Sequence, residues 1–185
     1  EEYGYDDSGG LKGSEHFVAS ELEANVSYEG TAILDMIGYR SGTVNRATIV
    51  TRDSGDQMME ATVEATMTYA VDIEWNELVH SHITYSDHSS FWDAGYPSLL
   101  LIEELSEDYV PLNPYYHTAS DVSGTLSEEQ MVAVTQALLG GILQLSAEDE
   151  TSSASPYVAI ALGASACAAA VTVFVLLRRA RTERR

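Results

Sequence analysis

Ser98-Leu99-Leu100-Leu101-Ile102-Glu103 decides the fold class, together with the helix that follows it. An unbroken apolar run closed by an acid reads as a strand buried on both faces. Beyond a polar loop, Ser127 opens the clearest helix of the chain. Ser127 and Gln130 have capping-box spacing, and Met131, Val134, Leu138, Ile142 and Leu145 recur at helical spacing. Toward the N-terminus the same alternation continues. Residues 31–36 (TAILDM) form a second apolar run that carries an acid near its end, and residues 47–51 (ATIVT) are β-branched. Residues 54–69, rich in Met, Ala and Glu, read as a helix. Short helices are expected around residues 16–22, after Ser14, and 89–94, and residues 1–14, with four glycines, read as a loop. Strands alternating with helices give an α/β domain, and no internal repeat is visible.

Charge is distributed unevenly. The 185 residues carry 9 Lys and Arg against 29 Asp and Glu, a net charge of −20. Five arginines and one glutamate fall in residues 157–185, a net of +4, which leaves residues 1–156 at −24. Lys12 is the only lysine. So acidic a domain argues against nucleic acid as a partner, because phosphates are neutralised by Lys and Arg. It also suggests adaptation to high salt, where hydrated carboxylates keep a protein soluble. At 45% apolar and 21% charged, the composition is globular.

Residues 157–177 contain 21 residues without a charge, and Arg178, Arg179, Arg181, Arg184 and Arg185 follow. As a helix this run spans about 30 Å, the thickness of a bilayer core. The positive flank predicts a cytoplasmic C-terminus and an extracytoplasmic N-terminal domain, so the expected localisation is a single-pass protein of the cell membrane. Cys167, the only cysteine, lies in this span, so the domain before it has no disulfide and no thiol chemistry. Residues 147–156 (AEDETSSASP) read as a solvated acidic linker. The expected organisation is a domain over 1–146, the linker over 147–156, a transmembrane helix over 157–177 and a basic tail over 178–185. Asn25-Val26-Ser27 is a glycosylation sequon.

Strand ends followed by loops are where α/β domains place their sites. Asp35 ends one strand, Glu1 and Glu2 precede a Gly-rich loop, and His117 lies in the loop before the last helix. Carboxylates with an imidazole suit zinc. In an adjacent Glu pair one residue can bind the metal while the other takes a proton from water. The same residue types also occur as solvated acids, caps and surface histidines.

Four segments in order resemble a family. Glu1-Glu2-Tyr3-Gly4 with Leu11-Lys12-Gly13-Ser14 resembles a Glu-Glu-x-Gly-Leu-x-Gly-Ser motif that here holds six additional residues, Tyr5 to Gly10. Leu34-Asp35-Met36 resembles a Leu-Asp-Met strand end. Ser86-Asp87-His88 with Gly95-Tyr96-Pro97 resembles a Ser-Asp-His and Gly-Tyr-Pro segment. His117-Thr118 with Asp121 resembles a His-Thr-x-x-Asp-Thr motif in which Val122 replaces the last Thr. The family is that of the two-zinc exopeptidases, which includes bacterial secreted leucyl aminopeptidases, glutamate carboxypeptidases and glutaminyl cyclases. The resemblance covers roughly residues 1–146.

It implies a three-layer zinc-exopeptidase fold with a mixed central sheet, of which this chain is the C-terminal part. It implies Glu1 as general base, Glu2 and His117 as ligands of one zinc, and Asp35 as ligand of the other. Asp87 would support the pocket beside them, with helix capping as its other reading. His88 lies in the same segment without an assigned role, and Asp121 would orient the His117 loop. The family's His-x-Asp motif and metal-bridging Asp precede the Glu pair, so the sequence reads as a piece of a longer protein. The implied activity is removal of N-terminal residues from peptide substrates. Carboxypeptidase or glutaminyl cyclase chemistry on the same fold, and a receptor-like ectodomain without catalysis, are the alternatives. The stretch before Glu1 separates the last of these from an enzyme.

Overall fold

The computed structural model describes residues 10–52, 56–79, 82–149, 157–164 and 171–178. The element order is α1 (Lys12–Glu23), β1 (Tyr28–Leu34), β2 (Arg46–Thr51), α2 (Gln57–Thr68), β3 (Glu74–Val79), α3 (His88–Asp93), β4 (Ser98–Glu103), α4 (Glu128–Asp149), β5 (Tyr157–Ala164) and β6 (Val171–Arg178), with a single 3₁₀ turn at Ser123–Thr125 before α4. The six strands form one sheet in the order β3-β2-β4-β1-β6-β5. It is mixed: β1 runs parallel to β4 and β3 parallel to β2, while β2 is antiparallel to β4 and β6 antiparallel to β1.

The period-two geometry of a strand explains why β4 is apolar throughout. Leu99 and Leu101 point to a core shared with Met58 and Met59 of α2 and Val134, Ala137, Leu138 and Ile142 of α4. Leu100 and Ile102 point to the opposite core, with Val18 of α1 and Phe91 and Trp92 of α3. Helices therefore cover both faces of the sheet, the three-layer arrangement expected for strands without a polar face.

The α2–α4 contact is close because α4 carries Gly140-Gly141 where the helices meet. A Cβ added to Gly141 would lie 2.7 Å from the Thr62 amide nitrogen and 2.9 Å from the Ala61 carbonyl carbon, both backbone atoms of α2. Gly141→Ala should therefore push the helices apart and cost about 1–3 kcal/mol. Urea denaturation checks this, and an unchanged midpoint would show that the helices part without cost.

Half of the expected capping box forms. The Gln130 amide N–H donates to Ser127 Oγ at 3.2 Å. The Gln130 side chain, fully buried, turns away from the helix end: its Oε1 accepts the Arg46 N–H at 2.9 Å and its Nε2 donates to the Arg46 carbonyl. It thereby satisfies the first backbone groups of β2, and the Ser127 N–H goes to the Gly38 carbonyl instead, at 2.8 Å.

Two expectations change. β3 was not anticipated: as an exposed edge strand reading EWNELV it carries no alternating apolar face. α4 runs to Asp149, into the stretch expected as linker. Within the span 157–177 expected as a transmembrane helix, Tyr157–Ala164 and Val171–Arg178 are here the strands β5 and β6, with β6 paired to β1 from Leu34↔Val173 to Tyr28↔Arg178. Two physical reasons favour strands when no bilayer surrounds the span. The sequence VTVFV at 171–175 is β-branched and aromatic, and β1 has a row of backbone donors and acceptors on the side away from β4 that needs a partner. Among the described residues only α4 forms a helix long and apolar enough to cross a membrane. Its buried Ala133, Val134, Ala137 and Leu138 make it a core helix.

Candidate active site

The parallel neighbours β1 and β4 end at the same edge of the sheet. The ladder continues one step past β1: the Asp35 N–H donates to the Leu101 carbonyl at 3.1 Å, and the Glu103 N–H to the Met36 carbonyl at 2.9 Å. Asp35 and Glu103 thus both lie at this edge, at the carboxyl end of two parallel strands.

Asp35 is held by a residue that sequence reasoning did not single out. Ser86 is 3% exposed, and its Oγ donates to Asp35 Oδ2 at 2.7 Å. Ser86 also starts α3, its carbonyl accepting the Ser89 N–H and the Ser89 hydroxyl. The signal was weak in sequence, since a serine gains meaning only through a partner 51 residues away.

His117 lies in a loop of overlapping turns. Asn113 Oδ1 accepts the Tyr115 N–H at 2.9 Å, the Tyr116 N–H reaches the Asn113 carbonyl, the Thr118 N–H the Tyr115 carbonyl, and the Asp121 N–H the Thr118 carbonyl. The His117 ring stacks on Tyr116 with centroids 3.9 Å apart. Met36, next to Asp35, and His117 itself have φ of +55° and +56°. Left-handed backbone is uncommon for residues with a Cβ and costs about 1–2 kcal/mol each.

Two titratable groups show that the Asp35 turn and the His117 loop converge. The Tyr85 hydroxyl is pushed up to about 12, first by burial and then by Tyr116 and Asp35. Glu103, 1% exposed, is pushed up to about 8 by burial, against the hydrogen bond from the Tyr39 N–H and the Asn113 side chain beside it, with Asp121 and Asp35 adding to the rise. Asp35, Tyr116, Asp121 and Glu103 therefore share one neighbourhood. No site role was read for Glu103 from sequence, although SLLLIE ends in an acid just as TAILD does.

The segment after Ser86 takes a structural part. Asp87 is 2% exposed with helical backbone and makes no side-chain capping bond, so the capping alternative is not seen. His88 is fully buried; its Nε2–H donates to the Ile83 carbonyl at 2.8 Å and its ring meets Trp92 edge-on at 4.4 Å. Burial pushes its imidazole down to about 4. The folded state thus keeps His88 neutral where an unfolded chain binds a proton near the ordinary histidine value of 6.5. The unfolded state binds more protons in that window, so stability falls as pH drops from 6.5 toward 4, by roughly 3 kcal/mol. Denaturation at pH 7 and at pH 4.5 should show this slope in the wild type and a flatter one in His88→Gln.

Glu1 and Glu2 lie outside the described residues, and among the described residues no group of three or more His, Asp and Glu is arranged to hold a metal ion. The donors that are described fit zinc in kind, a carboxylate at Asp35 and an imidazole at His117. Around them, Glu103 Oε1 and Asp121 Oδ1 are buried without a hydrogen-bond partner. Orphaned carboxylate oxygens in a low-dielectric setting favour a cation nearby.

Known proteins share this framework. The LapA aminopeptidase of Legionella pneumophila is 24% identical with a TM-score of 0.59, over 74% of this chain and 36% of that one. The zinc aminopeptidase BSAP of Bacillus subtilis is 24% identical with a TM-score of 0.59, over 73% and 32%. LapB of Legionella pneumophila is 23% identical with a TM-score of 0.57, over 76% and 37%. These likenesses establish the fold, and the chain spans about a third of the length of each of these proteins. A search of curated proteins gives no match. The family model of peptidase family M28 matches residues 1–141. That match takes in the Glu pair, the Asp35 strand end, the Ser86 segment and the His117 loop together, and the chain belongs to peptidase family M28.

Proposed function

We propose that the full-length protein is a membrane-anchored, extracytoplasmic, zinc-dependent aminopeptidase that binds two zinc ions. The observation that carries this reading is the placement of Asp35, fixed by Ser86, at the same sheet edge as the 113–121 loop that bears His117. Family membership and the aminopeptidases named among its structural likenesses support it. Glu2 and His117 would hold one zinc and Asp35 the other. Zinc, when bound, supplies a Lewis acid that polarises the scissile carbonyl and the attacking water. Glu1 takes the proton of that water and passes it to the leaving amine. Ser86 spends one lone pair of Asp35 on a hydrogen bond and so fixes which way the carboxylate points.

Ser86→Ala in the full-length protein should weaken zinc binding by about 10–100-fold, read by competition with a chelator of known affinity. Wild-type zinc binding in that variant would show that Asp35 needs no such support.

The choice among reactions is tested by offering the full-length protein an aminoacyl-nitroanilide, a peptide with N-terminal Gln and a peptide blocked at its N-terminus. Release of the first residue, without cyclisation of Gln and without cleavage of the blocked peptide, supports the aminopeptidase. Cyclisation, or cleavage of the blocked peptide from its C-terminus, would assign the site to a different reaction.

The anchor rests on the 21 uncharged residues at 157–177 and the arginines behind them. In a bilayer a helix satisfies every backbone group of such a span internally, which frees the β1 edge for strands from the rest of the protein. Protease treatment of intact cells should digest the domain and spare a C-terminal tag; digestion of the tag would reverse the orientation.

A further inference from the structure

Glu103 is an acid in a place where burial alone would favour an apolar residue. It ends a strand whose preceding residues are Leu and Ile, it is 1% exposed, and no cation figures among the groups that act on it. What it does touch is specific. Its Oε2 accepts the Tyr39 N–H at 3.0 Å, and its own N–H donates to the Met36 carbonyl at 2.9 Å. Both partners belong to the turn that leaves Asp35, and Met36 is the left-handed residue of that turn. On its other side the carboxyl lies beside the Asn113 side chain. Asn113, 7% exposed, starts the His117 loop, with its Oδ1 on the Tyr115 N–H and its carbonyl on the Tyr116 N–H. The rings of Tyr39 and Tyr115, one from each segment, meet edge to face at 6.2 Å. Two segments far apart in sequence thus meet at one carboxyl group.

We propose that Glu103 is a positioning residue: by binding the turn after Asp35 and lying against the Asn113 start of the His117 loop, it sets the separation of these two side chains and so the metal affinity of the site. The proposal rests on the reading of Asp35 and His117 as zinc ligands. Glutamine keeps the length of the side chain and an oxygen that can accept the Tyr39 N–H, so it is the conservative substitute for Glu103.

The test uses the full-length protein, with zinc affinity measured by chelator competition and the ligand geometry by the visible absorption of the cobalt-substituted form. E103A should lose about 10–100-fold in zinc affinity and show a shifted cobalt spectrum, with kcat reduced and KM little changed. E103Q should restore most of both. A wild-type zinc affinity and cobalt spectrum in E103A would overturn the proposal even if its melting temperature fell, because a merely structural acid moves only the latter. Equal defects in E103A and E103Q would overturn it too. If E103A does not fold, N113A removes the neighbour on the other side. A zinc affinity lowered in N113A supports the proposal, and an unchanged one overturns it. A wild-type protein that binds no zinc would be a separate result, removing the zinc reading itself.

Discussion

Glu1→Gln in the full-length protein should lower kcat by about 10²–10⁴-fold and leave the zinc content unchanged. The amide keeps the size and the hydrogen-bonding reach of the carboxylate, so substrate still binds and KM should move little. What it lacks is a basic oxygen to accept the proton of the attacking water. Its neighbour Glu2 has the opposite signature, because a metal ligand cannot be replaced without weakening the metal. Glu2→Gln should lose zinc and activity together, whereas Glu1→Gln loses activity alone. Metal analysis and steady-state kinetics on the two variants separate the roles. Full activity in Glu1→Gln would remove the general base from the mechanism.

The second large effect is on stability. Phe91→Ala should cost about 3–5 kcal/mol. Phe91 is fully buried on α3, with its ring 6.1 Å from that of Phe17 on α1, in the core shared with Leu100 and Ile102 of β4. Removing it leaves a cavity between both helices and the sheet, and a typical domain holds only about 5–15 kcal/mol in all. α3 also begins directly after Ser86, so the damage should reach Asp35 as a reduced zinc affinity. Leu143→Ala is the control: Leu143 is 54% exposed on α4, and its loss should stay within about 0.5 kcal/mol. Urea denaturation of the two variants should give midpoints well apart, and similar midpoints would mean that this core does not carry the fold.

What could be read in the sequence follows from where the side chains go. β4 was legible to the residue because both its faces are buried, so its apolar run has no gaps. α4 was legible from its spacing, although Gln130, read as half of a capping box, bonds to Arg46 of β2 instead. β3 was hidden because an edge strand with charged, exposed positions has no hydrophobic period. The span 157–177 has no polar position to reveal a period, so helix and strand fit it equally in sequence. Length favours a helix in a bilayer, and with no bilayer present the open side of β1 pairs with residues 171–178 as β6. In the site, Asp35 and His117 were named through residue type and ordered motifs. Ser86 and Glu103 were given no site role, since a serine and a strand-end acid are defined by long-range partners, Asp35 and the 36–39 and 113 backbone and side-chain groups.

The most direct measurement is hydrolysis of an aminoacyl-nitroanilide by the full-length protein before chelation, after chelation and after zinc is added back. A two-zinc peptidase with Asp35 and His117 among its ligands should lose activity on chelation and regain it with zinc, and Asp35→Ala should not recover on the same addition. Activity that persists after complete removal of metal, and in Asp35→Ala, would contradict the assignment of this sheet edge as a zinc centre.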